Sequence, residues 1–306
     1  MTEREDDFDT ASGNMREGGN RGAQQIPQHA PVVAVVLAAG FGTRFDPDNP
    51  KQLVSVGGKP IVCWSIEAFE RCARVSDIVV VVNPKVRDDV ESLIDQAGYT
   101  KVRIVIDGGA ERVDSTAAAL DTLAAAGIPG NAKILIHDAV RPFVAQSAID
   151  GSIDALDQFN ACTVAWGSTD TILLTEDLGE RKVVRAVPNR PDMFRAQTPQ
   201  SFRFDTIRRA YELAGADPDF HPTDDTRVVV DYLPDEPVAI VSGAESNLKI
   251  TTLADLPTAE RIAADLLGLT PDDTLGRTAA DDMLARKEQA RARMHAVLAQ
   301  AASQLH

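Results

Sequence analysis

Val32-Val-Ala-Val-Val-Leu-Ala-Ala-Gly-Phe-Gly-Thr-Arg-Phe-Asp-Pro-Asp-Asn-Pro-Lys-Gln52 is the stretch that orders everything around it. Its opening run, 32–37, is continuously apolar and rich in β-branched side chains, which reads as a strand buried on both faces, as in a parallel sheet. At Ala38-Ala39-Gly40 the side chains become small, and Gly42 follows. Small residues let backbone N–H groups approach a ligand closely, and successive exposed N–H groups form a concavity for an anion. Arg44 and Lys51 add two cations to the same loop, and Pro50 restricts where the Lys51 ammonium can point. The combination suits a polyphosphate held while one phosphorus is attacked. Lys51 could bridge phosphate oxygens, and Arg44 could meet the charge gathering on a departing pyrophosphate. The spacing matches neither GxxxxGK[ST] nor the full GxGxxG fingerprint. Two solvated cations on a surface loop are the plain alternative.

Outward from this loop, apolar strand-like runs alternate with helix-like segments. Strands are expected at 78–82, 102–106, 134–136 and 162–166, and helices at 61–73, 84–97, 111–126 and 145–156. This βαβα rhythm predicts an α/β fold with a mostly parallel, doubly wound sheet and helices on both faces. Ligands of such sheets bind beyond the carboxyl ends of the strands, which puts Gly40, Gly108, Asp138 and Arg141 along one rim. Between 168 and 190 the rhythm breaks. Strand-like runs at 171–175 and 182–187 flank Glu176-Asp177-Leu178-Gly179-Glu180, the pattern of a protruding β-hairpin arm, and such arms commonly exchange contacts in a homodimer. Residues 204–214 read as helix, 227–232 as a short strand or helix, 237–242 as a strand and 258–267 as the last helix of the body.

Composition narrows the partners. The formal net charge of −15 over 306 residues argues against broad attraction to nucleic acid or to an anionic membrane, so an anionic substrate needs locally gathered cations. No apolar run approaches the ~20 residues needed to span a bilayer. Cys63, Cys72 and Cys162 are too few and too scattered for a disulfide framework or a CxxC metal site, and read as small core residues of a reducing compartment. With an acidic, polar amino terminus unlike a secretory signal, a cytoplasmic location is expected. Residues 1–31 lack apolar periodicity and read as a disordered polar arm. The body spans 32–268. In the extension, 269–306, Met294, Leu298, Ala301 and Leu305 recur at helical spacing, which suits a helix docked on the body or on a partner.

Further motifs lie along the same rim. His137-Asp138-Ala139-Val140-Arg141-Pro142 ends a strand, where Asp138 can hold a ribose hydroxyl or Mg²⁺ and Arg141 can meet a phosphate or pair with Asp138. Asp107-Gly108-Gly109-Ala110-Glu111-Arg112-Val113-Asp114-Ser115 opens a helix whose free N–H groups and Ser115 suit a base or a phosphate, though a plain turn explains it as well. Ala196-Gln197-Thr198-Pro199-Gln200-Ser201-Phe202 returns the chain from the hairpin. Thr223-Asp224-Asp225-Thr226 suits a metal or a helix cap, and Lys249, in Asn247-Leu248-Lys249-Ile250-Thr251, adds a cation that could equally be solvated.

Taken in order, Leu-Ala-Ala-Gly-Phe-Gly-Thr-Arg, Pro-Lys-Gln, Gly-Gly-x-x-Arg-x-x-Ser, His-Asp-Ala-x-Arg-Pro, Gln-Thr-Pro-Gln-x-Phe, Thr-Asp-Asp and Asn-x-Lys-Ile-Thr resemble the 2-C-methyl-D-erythritol 4-phosphate cytidylyltransferases over roughly 32–267. The resemblance implies a Rossmann-like nucleotidyltransferase fold that turns CTP and a polyol phosphate, methylerythritol phosphate, into a CDP-linked methylerythritol and pyrophosphate with Mg²⁺, in isoprenoid precursor synthesis. It implies that Ala38, Ala39, Gly40, Gly42, Gly108 and Ser115 contact CTP, with Asp138 and Ala139 near its ribose and phosphates. Arg44 and Lys51 are then the catalytic cations. Thr171, Arg190 and Lys249 hold the acceptor, the first two reaching from the hairpin toward a neighbouring protomer, and Arg141 helps complete the site. Val140 stands where many members carry alanine, a change expected to be tolerated. A phosphate monoester is already nucleophilic at neutral pH, so the absence of a Ser–His–Asp or Cys–His arrangement agrees with this chemistry. The rival expectations are a ribitol 5-phosphate cytidylyltransferase and, from another class, a non-catalytic nucleotide-binding regulator.

Overall fold

The computed structural model describes residues 30–40, 45, 50–219 and 222–269. The amino-terminal arm up to residue 29, Gly42 and Arg44 of the glycine-rich loop, and the helix expected in the extension lie outside the described residues.

The chain opens with β1 (Val32–Ala38), the small hairpin β2 (Ser55–Val56) and β3 (Lys59–Pro60), then α1 (Ile61–Arg71), β4 (Asp77–Val82) and α2 (Arg87–Ala97). It continues with β5 (Val102–Asp107), α3 (Arg112–Ala125), β6 (Lys133–Asp138), α4 (Gln146–Ala155) and β7 (Ala161–Gly167). The second half carries β8 (Leu174–Asp177), β9 (Lys182–Ala186), β10 (Phe194–Arg203), α5 (Phe204–Ala214), α6 (Asp225–Tyr232), β11 (Val238–Ser242) and α7 (Leu256–Leu267).

One seven-stranded sheet, ordered β11-β7-β10-β6-β1-β4-β5, carries the fold. Every neighbouring pair is parallel except those made by β10, which runs antiparallel to both β6 and β7. After β1 the chain builds outward through β4 and β5, then returns to place β6 on the other side of β1. The strand order therefore reverses between β1 and β6, and their carboxyl ends leave a crevice there.

The continuous apolar run is needed because both faces are covered. Val33, Val35 and Leu37 pack with Leu120, Leu123, Ile207, Val228 and Val229 from α3, α5 and α6. The alternate residues Ala34, Val36 and Ala38 pack with Val62, Ile66, Phe69, Val90, Ile149 and Ile153 from α1, α2 and α4. Each valine, leucine, isoleucine or phenylalanine side chain removed from water here contributes about 1.5–3 kcal/mol before chain entropy is subtracted. A third cluster joins Val56, Ile61, Val140, Phe143 and Ile250 to Leu256, Ala259 and Ala263 of α7, and braces the loop that carries Lys51. Val140 is accommodated there as an apolar side chain.

The expected alternation holds; the β2–β3 hairpin and β10 are not among the expected strands, and β8 lies at Leu174–Asp177 rather than 171–175. Residues 196–202, read as a simple return from the hairpin, belong to β10 in the middle of the sheet. Gln197, Thr198, Gln200 and Ser201 are all buried, and a proline among polar residues argues locally against a central strand. The pairing with β7 shifts register between Ala196 and Gln200, so Pro199, which has no N–H to give, falls in the irregular part of the ladder. Residues 227–232 resolve as helix because Asp224 caps α6, its side chain accepting the Arg227 N–H at 2.8 Å.

The hairpin arm is present. β8 and β9 form their own two-stranded antiparallel sheet, with every residue of both strands exposed. Ile172, Leu173, Leu174, Leu178, Val184 and Val187 are exposed apolar side chains on this arm.

Candidate active site

A cleft of about 580 Å³, its open mouth included, lies where the carboxyl ends of β1 and β6 face the start of α3. Ala38, Ala39, Gly40, Lys51, Gln52, Ser115, Asp138 and Lys249 line it, together with Glu111 and Arg112. Motifs spread from residue 38 to residue 249 thus converge at the topological switch point.

Asp138 is the electrostatic centre. Its Oδ1 accepts from Arg112 Nε at 3.0 Å and its Oδ2 from Lys249 Nζ at 2.8 Å. Burial by itself would raise its pKa, but Arg112 and then Lys249 outweigh that and hold the carboxyl well below the usual carboxylate range. It is therefore an anion at any working pH. Arg112 reaches past it to Asp225, with Nη1 2.7 Å from Oδ2. Burial opposes the Arg112 charge, but Asp225 and Asp138 together raise its pKa further. Asp225 is fully buried and ends this row of alternating charges.

Behind Asp138 the backbone is fixed by a neutral histidine. The His137 ring lies 3.0 Å from the Arg141 carbonyl through Nε2 and 2.9 Å from Thr198 Oγ1 through Nδ1. A carbonyl only accepts, so Nε2 carries the proton and Nδ1 accepts from the Thr198 hydroxyl. Thr198 Oγ1 in turn accepts the Asp138 N–H at 3.2 Å. Burial pushes the His137 pKa down to about 4, which keeps the ring neutral and gives it a structural role. The Arg141 guanidinium donates to the carbonyls of Asn247 at 2.8 Å and Ala196 at 3.2 Å. It ties the Lys249 loop to β10 and is not among the cleft-lining residues.

The β1 loop is held from beneath. Gln52 is buried, and its Nε2 donates to the carbonyls of Ala38 and Gly40, each at 2.6 Å. Two carbonyls pinned by one amide fix the peptide planes of the turn at the cleft. Gly108 is required by close approach, since a Cβ there would lie 2.3 Å from Ala39 Cβ and 2.6 Å from Ser115 Oγ. That contact brings the start of α3 against the end of β1. Glu111 and Asp114 cap α3 reciprocally, and Ser115 Oγ donates to the Glu111 carbonyl at 3.1 Å. Ala139 is buried, its N–H bonded to the Leu37 carbonyl at 2.9 Å.

Thr171 and Arg190 are placed elsewhere, at the base of the arm, where Arg190 Nη2 donates to Thr171 Oγ1 at 3.2 Å. Neither lines the cleft of its own chain. The structural description does not extend to Gly42 and Arg44. The sequence suggests Asp225 only as a metal ligand or a helix cap, and gives Gln52 and Arg112 no role of their own. Each sits inside a quoted motif, but only the folded chain reveals its partner. Of the acidic pair, Asp224 serves as the helix cap and Asp225 as the partner of Arg112.

The profile of the 2-C-methyl-D-erythritol 4-phosphate cytidylyltransferase family matches residues 32–265. The chain belongs to that family. A 2-C-methyl-D-erythritol 4-phosphate cytidylyltransferase of Bifidobacterium longum (strain DJO10A) is 73% identical over 306 residues, all of both chains. The crystal structure of 4-diphosphocytidyl-2C-methyl-D-erythritol synthase from Anaerococcus prevotii superposes with a TM-score of 0.66 at 27% identity, covering 76% of this chain and 95% of that one. A bifunctional ribulose 5-phosphate reductase/CDP-ribitol pyrophosphorylase of Haemophilus influenzae is 33% identical over 230 residues, 75% of this chain and 48% of its own. The cytidylyltransferase family also accounts for the doubly wound sheet.

Mg²⁺ characteristically keeps several waters and takes one or two carboxylates plus substrate phosphates. No group of three or more histidine, cysteine or acidic side chains able to hold a metal occurs among the described residues. Asp138 lines the cleft, and each of its oxygens has a second lone pair beyond its bond to Arg112 or Lys249. This donor set fits an ion carried in by triphosphate oxygens and shared with a single protein carboxylate.

Proposed function

We propose that this chain transfers the cytidylyl group of CTP to 2-C-methyl-D-erythritol 4-phosphate and releases pyrophosphate. The observation that carries the reading is the convergence of the Ala38–Gly40 backbone, Lys51 and the Lys249–Asp138 pair in one cleft of this family's fold.

In the reaction an oxygen of the acceptor's phosphate attacks the α-phosphorus of CTP, the bond from that phosphorus to the β-phosphate oxygen breaks, and pyrophosphate leaves. The attacking oxygen is already anionic, so the protein need only position two phosphates and oppose the charge that gathers between them. The Ala39 amide, whose peptide plane Gln52 holds through the Ala38 carbonyl, and the Gly40 amide beside it are suited to the triphosphate, and Lys51 and Arg44 to the charge that develops on the pyrophosphate. Gly108 and Ser115 close the base side, and Asp138, with Ala139 beside it, suits the ribose. Lys249 is suited to the acceptor phosphate. Arg141 acts from behind by joining the Lys249 loop to β10. Asp138 is the residue that would help hold a Mg²⁺ carried by the triphosphate, and such an ion would supply charge neutralisation at the phosphates.

The exposed apolar arm suits a second copy of the chain, so a homodimer belongs to this reading, with Thr171 and Arg190 reaching the acceptor side of the partner's cleft. Sedimentation at micromolar concentration should give a dimer, and a monomer would remove that part. A cytoplasmic location accords with three free, buried cysteines.

Pyrophosphate release from CTP and Mg²⁺, with methylerythritol phosphate and ribitol 5-phosphate as alternative acceptors, tests the assignment. A second reading, ribitol phosphate as acceptor, is favoured by the likeness to the Haemophilus influenzae bifunctional protein. A higher kcat/KM with ribitol 5-phosphate would decide for it.

A further inference from the structure

Asp225 is fully buried and stands outside the cleft lining, and the reaction as written gives it no task. Capping α6 does not explain it, because Asp224 already supplies the cap. The residue is nevertheless held through its backbone and both carboxylate oxygens. Oδ1 accepts from Tyr211 Oη at 2.6 Å, the Asp225 N–H donates to Gln200 Oε1 at 2.8 Å, and Oδ2 meets Arg112 Nη1 at 2.7 Å. A buried carboxylate costs several kcal/mol unless paired, so this pairing is a specific arrangement.

Arg112 presents its donors as a rigid fork. Nε donates to Asp138 and Nη1 forms an ion pair with Asp225 Oδ2 at 2.7 Å, while Asp225 Oδ2 and Arg112 Nη2 are both buried with no hydrogen-bond partner among the described residues. Left with Asp138 alone, a guanidinium would turn both arms onto that carboxylate as a bidentate pair. Oδ2 of Asp138 would then be contested, and Lys249, bonded to it at 2.8 Å, would lose its anchor.

We propose that Asp225 is a positioning residue that restrains Arg112 to a single bond with Asp138, leaving Asp138 Oδ2 to Lys249 and Arg112 Nη2 to an oxygen of the bound nucleotide. The inference deepens the proposed function and rests on the cleft being the CTP site. It also links the two halves of that site, since one buried carboxylate sets both a nucleotide contact and the acceptor cation.

Calorimetric titration of CTP, without acceptor, into wild-type, D225N, D138N and D225N/D138N proteins tests it. D225N should weaken CTP binding by roughly 10- to 100-fold, the equivalent of one charge-assisted hydrogen bond. Because Asp225 acts through Arg112 on Asp138, the double variant should bind CTP within about twofold of D138N alone. Wild-type affinity in D225N, or fully additive losses in the double variant, overturns the proposal. Tyr211→Phe keeps the charge while removing one bond to Asp225, and should lower the melting temperature with little change in CTP affinity. A loss as large as that of D225N would mean that packing alone is at work, and would also overturn it. Should D225N not fold, R112K keeps the cation but lacks the fork, and must show the same non-additivity with D138N. Additive behaviour there counts against the proposal. Failure of the wild-type protein to bind CTP would reject the proposed function itself, whereas wild-type binding with D225N unaffected rejects only the role of Asp225.

Discussion

Replacing Gln52 by methionine isolates what holds the β1 loop. Methionine keeps the length and most of the volume of glutamine, so packing around this buried position changes little. What disappears are the two hydrogen bonds from Nε2 to the carbonyls of Ala38 and Gly40. At about 1 kcal/mol net for each, the turn loses about 2 kcal/mol of local stability. That corresponds to a shift of up to ~30-fold in the balance between the ordered loop and its open forms. A ligand that binds only the ordered form loses affinity by the fraction of protein that must first reorder. CTP affinity should therefore fall by up to ~30-fold, while the KM for the acceptor, which meets Lys249 on the other side of the cleft, moves much less. Calorimetry with CTP and steady-state kinetics with each substrate varied give both numbers. CTP affinity within twofold of wild type would refute the claim that Gln52 presents the loop.

Three further outcomes are expected. Lys249→Ala should raise the KM for the acceptor phosphate by roughly 10-fold, the lower end for a charged hydrogen bond because the side chain is partly exposed, and an unchanged KM would count against its role. Lys51→Ala should lower turnover far more than CTP binding, because its contact tightens in the transition state; equal losses in both would contradict this. His137 makes stability depend on pH: its folded pKa lies near 4 against the usual 6.5, so the unfolded chain takes up the proton first. The contribution, roughly 3 kcal/mol at most, is complete above pH ~6.5 and fades as the pH falls toward 4. Urea melts at pH 7 and pH 4.5 should therefore show a smaller difference for His137→Asn than for wild type, and an equal difference would remove histidine as the cause.

The parts that were legible in the sequence share a local cause. β1 could be read because burial on both faces demands an unbroken β-branched run, and the arm because Gly179 and its acidic neighbours separate two short apolar runs. β10 could not be read in the same way. Its buried Gln197, Thr198 and Gln200 look like loop residues locally, yet they bond to Ala244, Asp138 and Asp225, partners supplied by other elements. The same reason hid the tasks of Gln52 and Arg112. A glutamine after a lysine, or an arginine after a glycine turn, has no distinctive local pattern, and only the crossing of β1, β6 and α3 brings their partners within reach. Ordered motifs along the chain gave the cleft its membership, but they carried no information about how Arg112 divides its donors between Asp138 and Asp225.

In this reading an acidic protein gathers backbone amides and a few fixed cations at one point of its sheet to grip a triphosphate. A crystal structure with CTP and Mg²⁺ tests it most directly. The triphosphate should lie against the Ala39 and Gly40 amides and Lys51, with the ribose at Asp138. A nucleotide bound away from the β1–β6 crevice, with these groups untouched, would contradict it.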